Sequence, residues 1–122
     1  PAAKNLRFVH STGTDFPGVA RASVDFAFSF GTFVHLDPPL IAAYLANLRP
    51  LLKQSGTAAI QYADQCKPMA QKNPGFAKTT PEVMRALVVG AGYTIFDEDL
   101  ETLPHSSVIA FRRSPAPARE ED

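Results

Sequence analysis

The residues best suited to chemistry in this sequence stand between positions 29 and 37. There Gly31, Thr32 and His35 interrupt an apolar pattern at the point where a strand would end. An imidazole is the side chain best suited to proton transfer near neutrality, so His35 is a candidate general base for a hydroxyl or an amine. The alternative is a histidine satisfied by a hydrogen bond at the helix start beside Asp37. Other chemistries find less support. His10 and His105 have no Cys, Asp or Glu at ligand spacing, so no metal site is expected. Cys66 lacks a redox partner, and the sequence has neither a Ser-His-Asp pattern nor a phosphate loop.

The elements that must hold this turn follow from the hydropathy pattern. Residues 23–30 read as a strand: Val24, Phe26 and Phe28 alternate with Asp25, Ala27 and Ser29, and the apolar Ala27 and Phe30 predict that both faces are covered. Phe26, Phe28, Phe30 and Phe33 are accordingly expected in the core, and Asp25 is expected to anchor a loop. The turn then sits beyond the carboxyl end of a sheet strand, where open α/β sheets bind their ligands. Asp37 is placed to cap a helix that Pro38 enters, and Ile41, Tyr44, Leu45, Leu48, Leu51 and Leu52 form its apolar stripe. Pro50 predicts a kink or break near Arg49, and Gly56 the positive φ that ends the helix.

A strand over residues 57–62 and a long loop over 63–78 follow. A second helix spans 79–92, capped by Thr79 or Thr80, with Glu82 closing a capping box on Thr79. Strands at 93–98 and 107–112 suit an antiparallel pair, and residues 6–10 form a short candidate strand at the start. Strands alternating with helices predict an α/β fold with a mostly parallel sheet and an antiparallel closing pair. The folded part is expected over residues 1–112, with a disordered tail over 113–122.

Size and charge narrow the function classes. The 122 residues make one small domain, and 12 basic against 12 acidic side chains give no field for nucleic acid or an anionic membrane. No apolar run approaches the roughly 20 residues that span a bilayer, no signal-type segment is present, and a single cysteine suits a reducing compartment. A soluble cytoplasmic protein is the expectation.

Taken together, SVDFAFSFGTFVHLD, the helix closing on LRPLLKQSGTAAIQY, then PEVMRALVVGAGYTI and SSVIAFRR resemble the C-terminal part of class I S-adenosylmethionine-dependent methyltransferases. The likeness runs from about Leu6 to Arg112. It implies a partial doubly wound, Rossmann-like sheet whose last strand, residues 107–112, is antiparallel and inserted between those at 57 and 93. It further implies that the turn at Thr12, Gly13, Thr14 and Asp15 approaches the adenine of S-adenosylmethionine. Ser29, Phe30 and Gly31 would lie beside its methionine part, and Thr32, His35, Tyr62 and Asp64 would face a small-molecule acceptor, with His35 catalytic. In the family the acidic residue often directly follows the glycine; here Thr14 comes between Gly13 and Asp15.

The family's glycine-rich turn and its ribose-holding acid are absent from these residues. The one Gly-x-Gly, Gly90-Ala91-Gly92, follows a helix rather than a strand. The resemblance therefore implies a substrate-side half-domain, inactive alone and a poor binder of the donor. The strand at 23–30 should be left at an open edge, to be covered by a missing N-terminal half, by the residue 6–10 strand or by another copy of the chain. The alternative in another class is a non-catalytic assembly module.

Overall fold

The computed structural model of the chain describes residues 8–11 and 13–115. It contains four strands, β1 (Val24–Ser29), β2 (Leu52–Ala63), β3 (Tyr93–Asp99) and β4 (Ser106–Arg113), and three helices, α1 (Pro38–Leu48), α2 (Pro68–Gln71) and α3 (Pro81–Gly90). The sheet order is β1-β2-β4-β3. β1 runs parallel to β2 with Phe28 beside Ala59, while β4 is antiparallel to both of its neighbours. The last strand thus lies inside the sheet, as the resemblance implies. Alternation alone places the closing pair together but does not tell which member is at the edge.

Both longer helices cover one face. Ile41 and Leu45 of α1 and Met84 and Val88 of α3 pack on Ala58, Ile60 and Tyr62 of β2 and on Ile109 and Phe111 of β4, all within one buried cluster. Pro50 stops α1 as the sequence predicts, and residues Arg49–Leu51 continue as a single 3-10 turn.

Gly56 has a different task from the one its position suggests. It sits inside β2, which begins at Leu52 rather than residue 57, and the ladder to β1 shifts register there. A Cβ on Gly56 would come within 2.8 Å of the Val24 carbonyl oxygen, so the residue is selected by close backbone approach and not by a helix end. Positive φ is found instead at Gly92, just past α3, where a Cβ would meet the Arg49 guanidinium; that group donates to the Gly92 carbonyl at 3.0 Å.

Several local expectations change. Asp37 occupies the N-cap of α1, yet its carboxylate makes no capping bond. Thr80, not Thr79, caps α3 by accepting from the Val83 N–H at 3.2 Å, which leaves Glu82 outside a capping box. The 63–78 loop contains the single turn α2. Phe8, Val9 and His10 are exposed and not in a strand, and Leu6 and Arg7 lie outside the described residues. The fold extends past residue 112. β4 ends at Arg113, and the Ser114 N–H donates to the Gly92 carbonyl at 3.0 Å; the rest of the expected tail, residues 116–122, lies outside the described residues.

The largest departure concerns β1. Ala27 packs toward the core, but Phe26, Phe28 and the following Phe30 are 55%, 69% and 57% exposed, and of the four phenylalanines expected in the core only Phe33 is buried. Phe26 and Phe28 stack with centroids 5.9 Å apart and Phe28 meets Phe30 edge to face at 6.2 Å, beside Ala59 on a face that no helix among the described residues covers. Among the described residues β1 is also an edge strand.

Candidate functional site

Three segments converge beyond the carboxyl ends of β1 and β2: the turn after β1, the loop after β2 and the approach to β4. Gly31 stands at φ +89°, with no atom within 4 Å of where a Cβ would be, so the turn has an open side that a side chain would fill. Its N–H donates to Gln61 Oε1 at 2.7 Å, and Gln61 Nε2 donates to Ser106 Oγ at 2.8 Å. Gln61 is buried, so this pair of bonds fixes the Gly31 turn to β2 and, through it, to the start of β4. Nothing in the sequence singles Gln61 out, since a glutamine within a strand reads as solvent-facing.

Phe33–His35 forms a single 3-10 turn. Phe33 is buried against the ring of Tyr44, at 5.2 Å, and the Val34 carbonyl accepts from the Ala77 N–H at 2.8 Å. The exposed His35 is thereby set on a fixed backbone. Its Nδ1 lies 2.8 Å from the Gly75 carbonyl oxygen, and its ring meets Phe76 edge to face at 5.5 Å. The alternative reading, a hydrogen bond at the Asp37 helix start, is replaced by one to the 63–78 loop. Thr32 is exposed beside it, and its carbonyl accepts from the His35 N–H at 3.1 Å.

Asp64 and Tyr62 are both more buried than a ligand-facing role implies. Asp64 is 2% exposed and its carboxylate is already engaged, accepting from the Cys66 N–H at 2.9 Å and the Ser107 hydroxyl at 2.7 Å. It forms one wall of an open cleft of about 690 Å³ whose other walls include Lys67, Glu82 and Arg85. Lys67 is held by the carbonyls of Leu103 and Ser106, at 2.6 Å and 2.7 Å, and Arg85 pairs with Glu98 at 2.9 Å. No group of His, Cys, Asp and Glu among the described residues is arranged to hold a metal ion.

Tyr62 is corrected outright: it lies inside β2 with no exposed surface, so it does not face the crevice. Alternation carries it to the helix-covered side. Its hydroxyl makes no hydrogen bond, although the Ser107 hydroxyl, which donates to Asp64, stands near it. Burial first, then the negative charges of Asp64 and Glu98, raises its pKa well above the ordinary tyrosine value. The folded state therefore keeps this proton after the unfolded chain has lost it, so this group's contribution is fully present below about pH 10 and declines as pH rises further. Tyr62→Phe is expected to leave stability within about 0.5 kcal/mol at pH 7, because no bond is lost. It should also flatten the alkaline limb; urea midpoints at pH 7 and above pH 10 check both.

The expected adenine turn is held elsewhere, against α1. The Tyr44 hydroxyl donates to the Gly13 carbonyl at 2.9 Å, Asn47 donates to the Thr14 carbonyl at 2.9 Å, and Ser11 donates to Asp15 Oδ1 at 2.9 Å. Thr12 lies outside the described residues. Tyr44 links the two regions, with its hydroxyl on Gly13 and its ring on Phe33. Ser29 and Phe30 stay with Gly31 at the end of β1. At the opposite end of that strand, Asp25 is surface-exposed and pairs with Lys53 at 2.9 Å, which joins β1 to β2.

No protein-family model matches the sequence, and no curated protein matches it. Solved structures do. A Pyrococcus horikoshii protein superposes with a TM-score of 0.72 at 13% identity, over 90% of this chain and 60% of its own. A Burkholderia thailandensis 1,6-didemethyltoxoflavin-N1-methyltransferase, with 1,6-didemethyltoxoflavin and S-adenosylhomocysteine bound, superposes at 0.67 and 20% identity, over 89% of this chain and 51% of its own. A pericyclic reaction enzyme gives 0.66 at 13% identity, over 86% of this chain and 29% of its own. The described residues thus have the Rossmann-like methyltransferase fold, and the chain spans only part of the length of the structures it matches. The fold alone does not fix the reaction.

Proposed function

We propose that this chain is the acceptor-side part of an S-adenosylmethionine-dependent methyltransferase acting on a small molecule. The observation that carries the reading is the placement of the Gly31 turn and His35 beyond the carboxyl end of β1, in a sheet of methyltransferase order. When bound, the donor supplies an electrophilic methyl group on a sulfonium. This chain's residues fit it in part. The open side of Gly31, flanked by Ser29 and Phe30, leaves room for its methionine portion, and Gly13 and Asp15 lie one tyrosine away for its adenine. His35 accepts the proton that the acceptor loses. Thr32 orients the acceptor, and alignment supplies most of the acceleration.

The glycine-rich turn that holds the rest of the donor belongs to a further N-terminal half, which covers the β1 edge and the Phe26, Phe28 and Phe30 face. A six-residue edge with an exposed phenylalanine cluster is otherwise an aggregation hazard. The single cysteine, Cys66, suits a cytoplasmic setting for the assembly. The phenylalanine face taken alone also favours a second reading, a non-catalytic module that assembles with another copy.

Thermal unfolding with S-adenosylmethionine tests these readings. A ligand that binds only the folded state stabilises by about 2.7 kcal/mol at one hundred times its Kd. The expected result is no shift for this chain and a clear one for a form extended upstream. A shift for neither would leave the assembly module. A shift for this chain alone would overturn the assignment of donor holding to a missing half.

A further inference from the structure

The 73–77 turn makes more contacts with His35 than a passing loop requires. The Asn73 carboxamide accepts from the Gly75 N–H at 2.9 Å, and the Asn73 carbonyl accepts from the Phe76 N–H at 3.1 Å, closing the turn on itself. The Ala77 N–H then ties it to the Val34 carbonyl at 2.8 Å, one residue before His35. Within this frame the Gly75 carbonyl oxygen lies 2.8 Å from His35 Nδ1. A carbonyl only accepts, so Nδ1 must carry the hydrogen. Phe76 stands edge-on between two imidazoles, 5.5 Å from His35 at 81° and 5.2 Å from His105 at 88°.

We infer that Asn73, Phe76 and His105 are positioning residues for His35, whose imidazole they hold as the Nδ1–H tautomer with Nε2 free as the proton acceptor. The inference rests on the reading of His35 as a base and deepens it. The ring nitrogen that meets a backbone carbonyl decides which nitrogen is basic, and the flanking rings decide where that nitrogen points. Phe76 restricts rotation of the His35 ring, which would otherwise bring Cδ2 to the Gly75 carbonyl in place of Nδ1 and release the tautomer. His105 backs Phe76, and its own carbonyl is fixed by the Asp64 N–H at 3.2 Å. The turn therefore converts an exposed histidine, free to adopt either tautomer, into a base of one orientation.

Nitrogen-15 NMR of the histidine rings in this chain, at a pH where His35 is neutral, reads the tautomer without any activity. Expected is a protonated Nδ1 and an unprotonated Nε2 for His35. Asn73→Ala and Phe76→Leu should each move His35 toward an even mixture, and Asn73→Asp, which keeps an acceptor for the Gly75 N–H, should restore the wild-type pattern. Backbone amide spectra of β2 and β4 identify a variant that fails to fold, in which case the wild-type spectrum decides alone. A wild-type His35 that is Nε2–H or mixed overturns the inference, as does a pattern unmoved in both folded variants. Neither result depends on donor binding, so this inference and the proposed function fail separately.

Discussion

His35→Gln in the complete enzyme is expected to lower kcat by about 10²–10⁴-fold, the usual contribution of a placed general base, while the donor's affinity stays unchanged. The affinity should hold because, in the proposed function, His35 serves the acceptor and not the donor, its ring turned to Gly75 and Phe76. The rate should fall because an acceptor that keeps its proton is a poor nucleophile, and alignment alone does not remove it. Glutamine keeps a polar side chain but has no group that titrates near neutrality. The deficit should therefore shrink as pH rises toward the acceptor's own pKa, where the nucleophile is already ionised. Single-turnover rates from pH 6 to 10 measure this. A variant equal to wild type across that range would show that His35 is a structural histidine.

Much of this site was legible because it follows from the end of an element. The apolar run at 24–29 and Pro38 after Asp37 bracket a turn, and the structure puts Gly31, Thr32 and His35 on it. What the pattern could not give was the side of the sheet that each strand residue faces. Phe26 and Phe28 read as core because phenylalanines in an apolar strand usually are, yet they face the side the helices leave bare. Tyr62 failed in the opposite direction: the resemblance sets it facing the acceptor, and it is buried among helix residues. Both errors have one cause, since alternation fixes relative facing within a strand and leaves open which face the helices cover. Gln61 and Gly75 were invisible for another reason. They act across about 30 and 40 residues of sequence, through a side-chain amide and a backbone carbonyl, and neither group leaves a local signature.

Leu45→Ala should destabilise the chain by about 2–5 kcal/mol, the range for removing a buried leucine side chain. Leu45 has no exposed surface and lies in the single cluster joining α1 to β2, β3 and β4. With helices on one face of four strands there is no second core among the described residues to compensate, and natural domains are stable by only about 5–15 kcal/mol in all. The loss should appear as a lower urea midpoint with unchanged slope if the native state keeps its compactness. Tyr93→Phe provides the control. The Tyr93 hydroxyl donates to the Leu45 carbonyl at 2.6 Å, but the Arg49 N–H serves that same carbonyl, so its removal orphans nothing and should cost about 1 kcal/mol. Leu45→Ala should reach the site as well. Tyr44, next in α1, buttresses Phe33 under the His35 turn, so loosening the helix should broaden the His35 ring resonances before global unfolding. Broadening in Leu45→Ala but not in Tyr93→Phe would show that the packing of α1 holds the turn, and not its hydrogen bond to β3.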